Sequence, residues 1–584
     1  MLLRLLTLAI KRCISPATQP FRTKRAERMF KEAQRLMERG HMPGAEQLLR
    51  KAIEHCPNHA RAWSTLGMTL WEQNRIEESI NALKTAVTLG PDLVGSRVNL
   101  GIALYLGGAI DDSITQYREA IRLVPDHPQA HLNLLMAILN TCDWDAIDVE
   151  IKNILMRWKD KTGKALVLNR LDSFISLFLP IPQEIRLCAA RQRAELISRK
   201  AATLARPQHR PPGKREKIRI GYLSSDFHNH ATAHLATGLF EQHDRSRFEC
   251  FAYSYGVNDA SDYRRRLVTA FDAFVETGEL SHESIAERIA NDGIDILVDL
   301  KGYTFGGRPE ILALRPAPIQ VHFLGYPATM GSDFVDYFIA DATVTPAEEI
   351  PYFSEQVVWL PTCYQVNDRR QRIDNRVFTR AELGLPNGFI FCSFNQHTKI
   401  ERHVFDTWLR ILRNTPGSAL WMLEGAGERR LLERTIAQGI DPQRIVFAKH
   451  APKPEHLARL RLADLCLDTY TCNGHTTTSD ALWAGVLVLI CPSNGFAGRV
   501  TSSLLKAIHL PELIVDDFAA YESRAIAYAR DPAALREIKL KLEKNRLTTP
   551  LFDTAQFTAG LELAYEAMWA RLLAGGAPQR ISID

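Results

Sequence analysis

The sequence predicts an α superhelix followed by two parallel-sheet α/β halves facing a common cleft. Three observations predict it. A 34-residue period runs through the first quarter, a Pro-rich basic break falls near residue 210, and apolar strands alternate with helical stretches thereafter. A chain of 584 residues exceeds one ordinary core, so two to four domains are expected. Hydrophobic content of 46% and charged content of 24% describe a soluble globular protein. A net charge of +5, with no basic stripe interleaved with aromatics, argues against nucleic acid as a partner. The ten cysteines are scattered, with neither a CxxC pair nor zinc spacing, so reduced thiols in a cytoplasmic protein are expected.

Residues 1–23 read as an N-terminal amphipathic segment. Its apolar, basic start, Met1 to Arg12, is too short to span a bilayer, so no stable membrane insertion is expected. The repeat occupies 24–140. Pro57, Pro91 and Pro125 are spaced by 34, as are Ala52, Ala86 and Ala120, then Ala33, Gly67 and Gly101, then Leu49, Leu83 and Tyr117. Small residues where helices cross, with Pro after the second helix, form the tetratricopeptide pattern, and Trp63-Ser64-Thr65-Leu66-Gly67 fits its W-x-x-L-G. Three full units and a degenerate fourth from Pro128 predict a short superhelix whose groove binds protein chains. Residues 141–204 stay helical without the period and read as a cap. Residues 205–215 form a Pro-rich basic linker.

Two α/β halves follow, 216–368 and 376–575. Strands of the first are expected at 217–223, 248–255, 294–300, 319–324 and 337–340. Those of the second are expected at 389–394, 419–423, 444–447, 465–467 and 486–490, and a closing amphipathic helix at 557–573. The charged stretch 368–375 connects the halves.

The richest stretch is Leu465 to Gly485. An apolar strand passes through Asn473-Gly474 into a helix, expected over 479–484 and stopped by Gly485, and a second strand follows. Such a loop aims backbone N–H groups outward from a helix N-terminus, which suits a phosphate. His475 and the hydroxyls of Thr476 to Thr478 add donors, and Asp480 lies one turn on. The plain structural account is a helix start capped by its own Thr and Ser side chains.

Cys472-Asn473-Gly474-His475-Thr476-Thr477, a spaced Asp480, and Leu482-Trp483-Ala484-Gly485 resemble the donor-site signature of the protein O-GlcNAc transferases, glycosyltransferase family 41. The resemblance runs from about 216 to 572 and includes the repeats before it. It implies a GT-B fold of two Rossmann-like halves. It also implies transfer of N-acetylglucosamine from UDP-GlcNAc to Ser or Thr hydroxyls of proteins, inverting and metal-independent. Phe394 to Lys399 matches the segment that supplies Gln396 and Lys399 to the donor diphosphate. A Lys ammonium there would stabilise charge growing on leaving UDP. His450 to Arg459 resembles the nucleoside segment: Ala451 would offer backbone atoms to uracil, and Lys453, His456 and Arg459 would flank base and ribose. His475, Thr476 and Thr477 would hold phosphate, and Asp480 the ribose. In the first half, Ser224 to Leu235 resembles S-S-D-F-x-N-H-P-T-S-H-L with Ala231 in place of Pro. Asp226 and His230 match the reaction centre and Thr232 a sugar contact. Phe323 to Thr329 resembles the L-G-Y-P-G-T loop, where Leu324 and Gly325 would border the sugar.

Two departures stand out. Animal members carry a further His before the first half, whereas the corresponding stretch here, Leu171 to Phe178, has none. Their long insertion between the halves is absent. No Asp-x-Asp follows a strand, and Asp143-Trp144-Asp145 falls in the helical cap, so no metal or other cofactor is expected. Two rivals remain. One is another donor, such as the GDP-fucose of SPINDLY-type relatives. The other is a tetratricopeptide scaffold with an inactive transferase domain. Joint retention of Lys399, His475 and Asp480 favours the enzyme.

Overall fold

The structure is a computed structural model that describes residues 19–38, 40–209, 213 and 215–583. Most of the expected N-terminal segment, 1–18, lies outside the described residues, as do 210–212 and 214 of the linker. The chain forms two compact units. One holds the described residues up to Thr141 together with Ala165–Arg170, and the other holds the rest.

The first unit is helical. Its helices are α1 (Gln19–Glu38), α2 (Met42–His55), α3 (Ala60–Glu72), α4 (Ile76–Leu89), α5 (Val94–Leu106), α6 (Ile110–Leu123) and α7 (Pro128–Asn140). The 34-residue period is a packing rule. A Cβ on Gly67 would strike the Leu83 side chain, and one on Gly101 the Tyr117 ring. Each small residue thus seats the large residue sixteen positions later. Ala33, Ala52, Ala86 and Ala120 are fully buried.

The second unit opens with α8 (Trp144–Arg157), α9 (Lys161–Arg170, shared with the first unit) and α10 (Gln183–Ala201). Asp143 caps α8, and Trp144 Nε1 donates to Ile400 O at 2.9 Å, so the Asp-x-Asp spacing marks a docked helix start. The first sheet has the order β13-β7-β6-β5-β4-β1-β2-β3, all parallel. Its strands are β1 (Ile218–Ser224), β2 (Phe248–Ser254), β3 (Ala273–Glu276), β4 (Ile296–Asp299), β5 (Ile319–His322), β6 (Tyr337–Asp341) and β7 (Gln356–Leu360). The second, also parallel, has the order β10-β9-β8-β11-β12. Its strands are β8 (Ile390–Ser393), β9 (Ala419–Leu423), β10 (Ile445–Ala448), β11 (Leu465–Leu467) and β12 (Leu487–Leu489).

Sequence reading misses β3, β7 and the two-residue β13 (Ile581–Ser582). β3 is a half-buried edge strand, without the continuous apolar run of a central parallel strand. Helices α11 (Ala231–Gln242), α12 (Asp262–Ala270), α13 (His282–Asn291) and α14 (Glu310–Ala313) cover the first sheet. Helices α15 (Arg402–Asn414), α16 (Glu428–Ala437), α17 (Lys453–Leu460), α18 (Thr476–Ala484), α19 (Val500–Ala507), α20 (Phe518–Arg530) and α21 (Pro532–Asn545) belong to the second half.

The last helix, α22 (Thr554–Leu573), returns to the first half. Tyr565 meets Tyr222 (O–O 3.2 Å), and Glu562 binds His243 at 2.9 Å and Arg247 at 2.6 Å. The halves also meet where Ser503 donates to Asp341 (2.6 Å) and where Gln365 donates to Ser479 (2.6 Å). The charged connector is anchored at its start, where Asp368 is buried and bonded to Arg266 at 2.7 Å, while Arg369, Arg370 and Arg372 are exposed. No described helix is long and apolar enough to cross a membrane.

Candidate active site

The β11–α18 loop is built from below. Asp468, at the end of β11, is buried and accepts from Asn395 Nδ2, Thr469 N and Gly474 N at 2.8 Å each, and from Thr501 Oγ1 at 2.5 Å. These donors pin both ends of the turn. Gly474 is required there, since a Cβ would lie 2.5 Å from Thr478 Oγ1 and 2.7 Å from Thr477 Oγ1.

α18 begins at Thr476, three residues before the expected start, so Thr476 to Thr478 form its first turn rather than the loop. His475 stands at the N-cap (φ −108°, ψ −87°) and makes no side-chain cap hydrogen bond. Thr477 and Thr478 do not cap it either: their hydroxyls donate to Asn395 Oδ1 (2.9 Å) and Gly474 O (3.0 Å). The first turn therefore presents unsatisfied N–H donors at the positive end of the dipole.

Lys399 reaches this loop from a single turn after β8, and its ammonium donates to Asn473 O at 2.6 Å. Burial, then the Lys399 charge, pushes His475 down to about 3, so its imidazole is neutral at physiological pH. Gln396 is exposed at the start of the same turn. An ammonium, uncapped helix N–H groups and a neutral imidazole together form a cradle for an anion.

Lys453, on the first turn of α17, pairs with Asp480 on α18 at 2.6 Å, with both side chains about 10% exposed. Burial raises Asp480 and Lys453 opposes the rise. Half-buried Ala451 lies two residues before α17. His456 and Arg459 share one face, as their spacing requires. The His456 ring meets Phe394 at 4.8 Å, and burial pushes it down to about 3. Arg459 is only 6% exposed and lies over the Phe394 and Trp421 rings, 5.8 and 6.0 Å from their centroids. Its guanidinium donates to His456 Nδ1 (3.3 Å), so it backs that ring from inside the fold.

The first half contributes a different cluster at the carboxyl end of β1. Asp226 is buried and accepts from Lys301 Nζ (3.0 Å), Ser225 Oγ (3.1 Å) and Thr232 Oγ1 (3.1 Å). Thr232, matched to a sugar contact in the sequence, spends its hydroxyl on this carboxylate. His230 caps α11: its Nδ1 lies 3.2 Å from Thr232 N and 3.3 Å from Asp226 Oδ2. The first contact asks for a lone pair on Nδ1 and the second for a hydrogen, so two tautomers compete. Burial lowers the His230 pKa; Asp226 pulls it up, and Lys301 and His228 push it down. His234, one turn along α11, is pushed down to about 2 by burial and then by the Lys453 charge.

Leu324 follows β5 at φ +73°, the left-handed region, and a Cβ on Gly325 would collide with Leu300 O. Strain of this kind persists where surroundings impose it, commonly at ligand-binding loops.

Sequence reasoning missed Asn395, Asp468 and Lys301. The available signals were polar groups set directly after apolar strands: Asn395 two residues after β8, Asp468 one after β11, and Lys301 two after β4. Among the described residues no group of three His, Cys, Asp or Glu side chains is placed to hold a metal ion. Every described cysteine is a free thiol.

The chain belongs to glycosyl transferase family 41, whose model matches residues 141–377 and 374–561. Tetratricopeptide models match 30–94 and 64–128. A probable UDP-N-acetylglucosamine–peptide N-acetylglucosaminyltransferase SEC of Arabidopsis thaliana is 37% identical over 77% of this chain and 48% of its own length. A UDP-N-acetylglucosamine–peptide N-acetylglucosaminyltransferase of Caenorhabditis elegans is 30% identical over 74% and 48%. The chain thus spans about half the length of these curated relatives. A solved O-GlcNAc transferase of Thermobaculum terrenum, a lysine-to-methionine variant, superposes with a TM-score of 0.68. It shares 25% identity and the match covers 94% of this chain and 98% of that one. The fold is therefore a tetratricopeptide helical region followed by a two-sheet α/β glycosyltransferase.

Proposed function

We propose that this family 41 glycosyltransferase moves N-acetylglucosamine from UDP-GlcNAc to Ser or Thr hydroxyls of proteins, with inversion and without a metal. The observation that carries the reading is the uncapped α18 N-terminus with Lys399 beside it. As the sugar–phosphate bond breaks, negative charge grows on the leaving diphosphate. Lys399, the α18 N–H groups, His475, Thr476 and Thr477 meet that charge, with Gln396 at the rim. Lys453 and Asp480 flank the ribose, and Ala451 and His456, backed by Arg459, meet the uracil. Leu324 and Gly325 border the sugar.

The acceptor oxygen attacks the anomeric carbon from the opposite face and passes its proton to His230. In the tautomer with hydrogen on Nδ1, that hydrogen faces Asp226 and Nε2 is free to accept. In that tautomer Asp226, itself fixed by the Thr232 hydroxyl, holds the ring in place. The repeats supply the groove for acceptor chains. Labelled GlcNAc should appear on Ser or Thr of a protein acceptor in excess EDTA. Labelling only from GDP-fucose, or only after manganese is added, would overturn the donor or the metal assignment.

A further inference from the structure

Lys301 has no part in the scheme above, yet it is a buried cation in direct contact with Asp226. It is 5% exposed, two residues past β4, the strand that neighbours β1. Its ammonium donates to Asp226 Oδ1 at 3.0 Å, making a buried pair in which both side chains are 6% exposed. The loop is held to place it there. Asp299 Oδ2 accepts from Gly302 N at 2.7 Å, Asp299 Oδ1 from Lys301 N at 3.1 Å, and Thr304 Oγ1 donates to Lys301 O at 2.7 Å. A buried cation costs several kcal/mol of desolvation and is retained where its partner needs the charge.

Asp226 in turn touches Thr232 and His230. Without Lys301, the carboxylate would be a buried anion beside an imidazole. It would draw a proton onto His230, which removes the arrangement in which Nε2 can accept.

We propose that Lys301 is a positioning residue that balances the Asp226 charge, so that His230 stays neutral and oriented at working pH. The inference rests on the roles given above to Asp226 and His230. The charged and titratable groups facing this cluster are Asp226, Lys301, Asp299, His228 and His234, with Tyr255 beside Asp226, Arg264 donating to Phe227 O, and Lys453 acting on His234. Lys301 and His228 already act in the stated direction on His230.

The test uses the full chain with Lys301→Met, Lys301→Arg, Asp226→Asn and the double variant Asp226→Asn/Lys301→Met. Transfer is followed against pH, UDP affinity by calorimetry, and the His230 ring by NMR. In Lys301→Met the His230 midpoint and the acid limb of kcat/KM should both move up by about one pH unit. At pH well below both midpoints transfer should then fall about tenfold, and progressively less toward neutral pH, while UDP affinity holds. Lys301→Arg should restore most of the loss. The double variant removes both charges and should fold even where the single variant does not, with turnover equal to that of Asp226→Asn. A His230 midpoint unmoved in Lys301→Met, or a double variant tenfold slower than Asp226→Asn, would overturn the role. Absence of turnover in the unmodified chain would instead count against the proposed reaction, and the NMR midpoint would still decide the Lys301 question.

Discussion

The two halves each set a helix N-terminus beyond the carboxyl end of a parallel strand, and they treat it in opposite ways. At α11 the cap is closed: His230 Nδ1 sits 3.2 Å from Thr232 N, and Asp226 gathers Lys301, Ser225 and Thr232. At α18 the cap is open: His475 makes no cap bond, the Thr477 and Thr478 hydroxyls turn elsewhere, and Lys399 adds positive charge. A closed, charge-balanced terminus suits holding a proton-transfer group in place. An open, electropositive terminus suits an anion that arrives and leaves. The same backbone motif thus suits two different tasks, and side-chain caps decide which.

The contrast can be broken hardest at Lys399. Lys399→Ala should cost transfer about 100- to 1,000-fold, as loss of one preorganised donor to developing charge does. The protein should stay folded, which a thermal melt run alongside checks. Lys453→Met should come next. It strands Asp480 as an uncompensated buried carboxylate, costing about 3–5 kcal/mol of stability, and weakens UDP binding. Chemical denaturation and calorimetry measure the two effects.

Acid should act on stability in a defined direction. His234, His456 and His475 are pushed down by burial to about 2, 3 and 3. The unfolded chain binds their protons from about pH 6.5 downward and the folded chain does not. Stability is therefore fully present above about pH 6.5 and is lost as pH falls toward 3. Melting temperature against pH should show this slope, and His456→Gln should flatten it.

The smallest effects sharpen the contrast between the caps. His230→Ala should cost about 1 kcal/mol from the lost α11 cap. Thr476→Val, at the open terminus, should change stability by less than about 0.5 kcal/mol yet weaken UDP binding several-fold. Equal stability losses in paired melts would erase the distinction.

Much of this was legible in the sequence. The 34-residue registers identified the repeats because each is a contact: Gly67 with Leu83, Gly101 with Tyr117. Most central strands were legible because burial on both faces leaves unbroken apolar runs, as in Ile296–Val298, although interior β7, opened by Gln356, was not. Edge strands β3 and β13 were not, because a short, half-buried strand carries no such run. The helix start at Thr476 was placed late, since three threonines look like loop until their hydroxyls are seen bonding Asn395 and the preceding turn. Lys301 was invisible as a partner of Asp226 because 75 residues separate them and only the β1–β4 pairing brings them together.

The central claim is that the open α18 terminus, with Lys399, Lys453 and Asp480, receives a uridine diphosphate. Calorimetric titration of the intact chain with UDP and with GDP, in EDTA, tests it most directly. UDP should bind with one-to-one stoichiometry, and GDP at least about tenfold more weakly, a difference of about 1.4 kcal/mol. Equal affinity for the two, or no heat with UDP under conditions where the protein is folded, would contradict it.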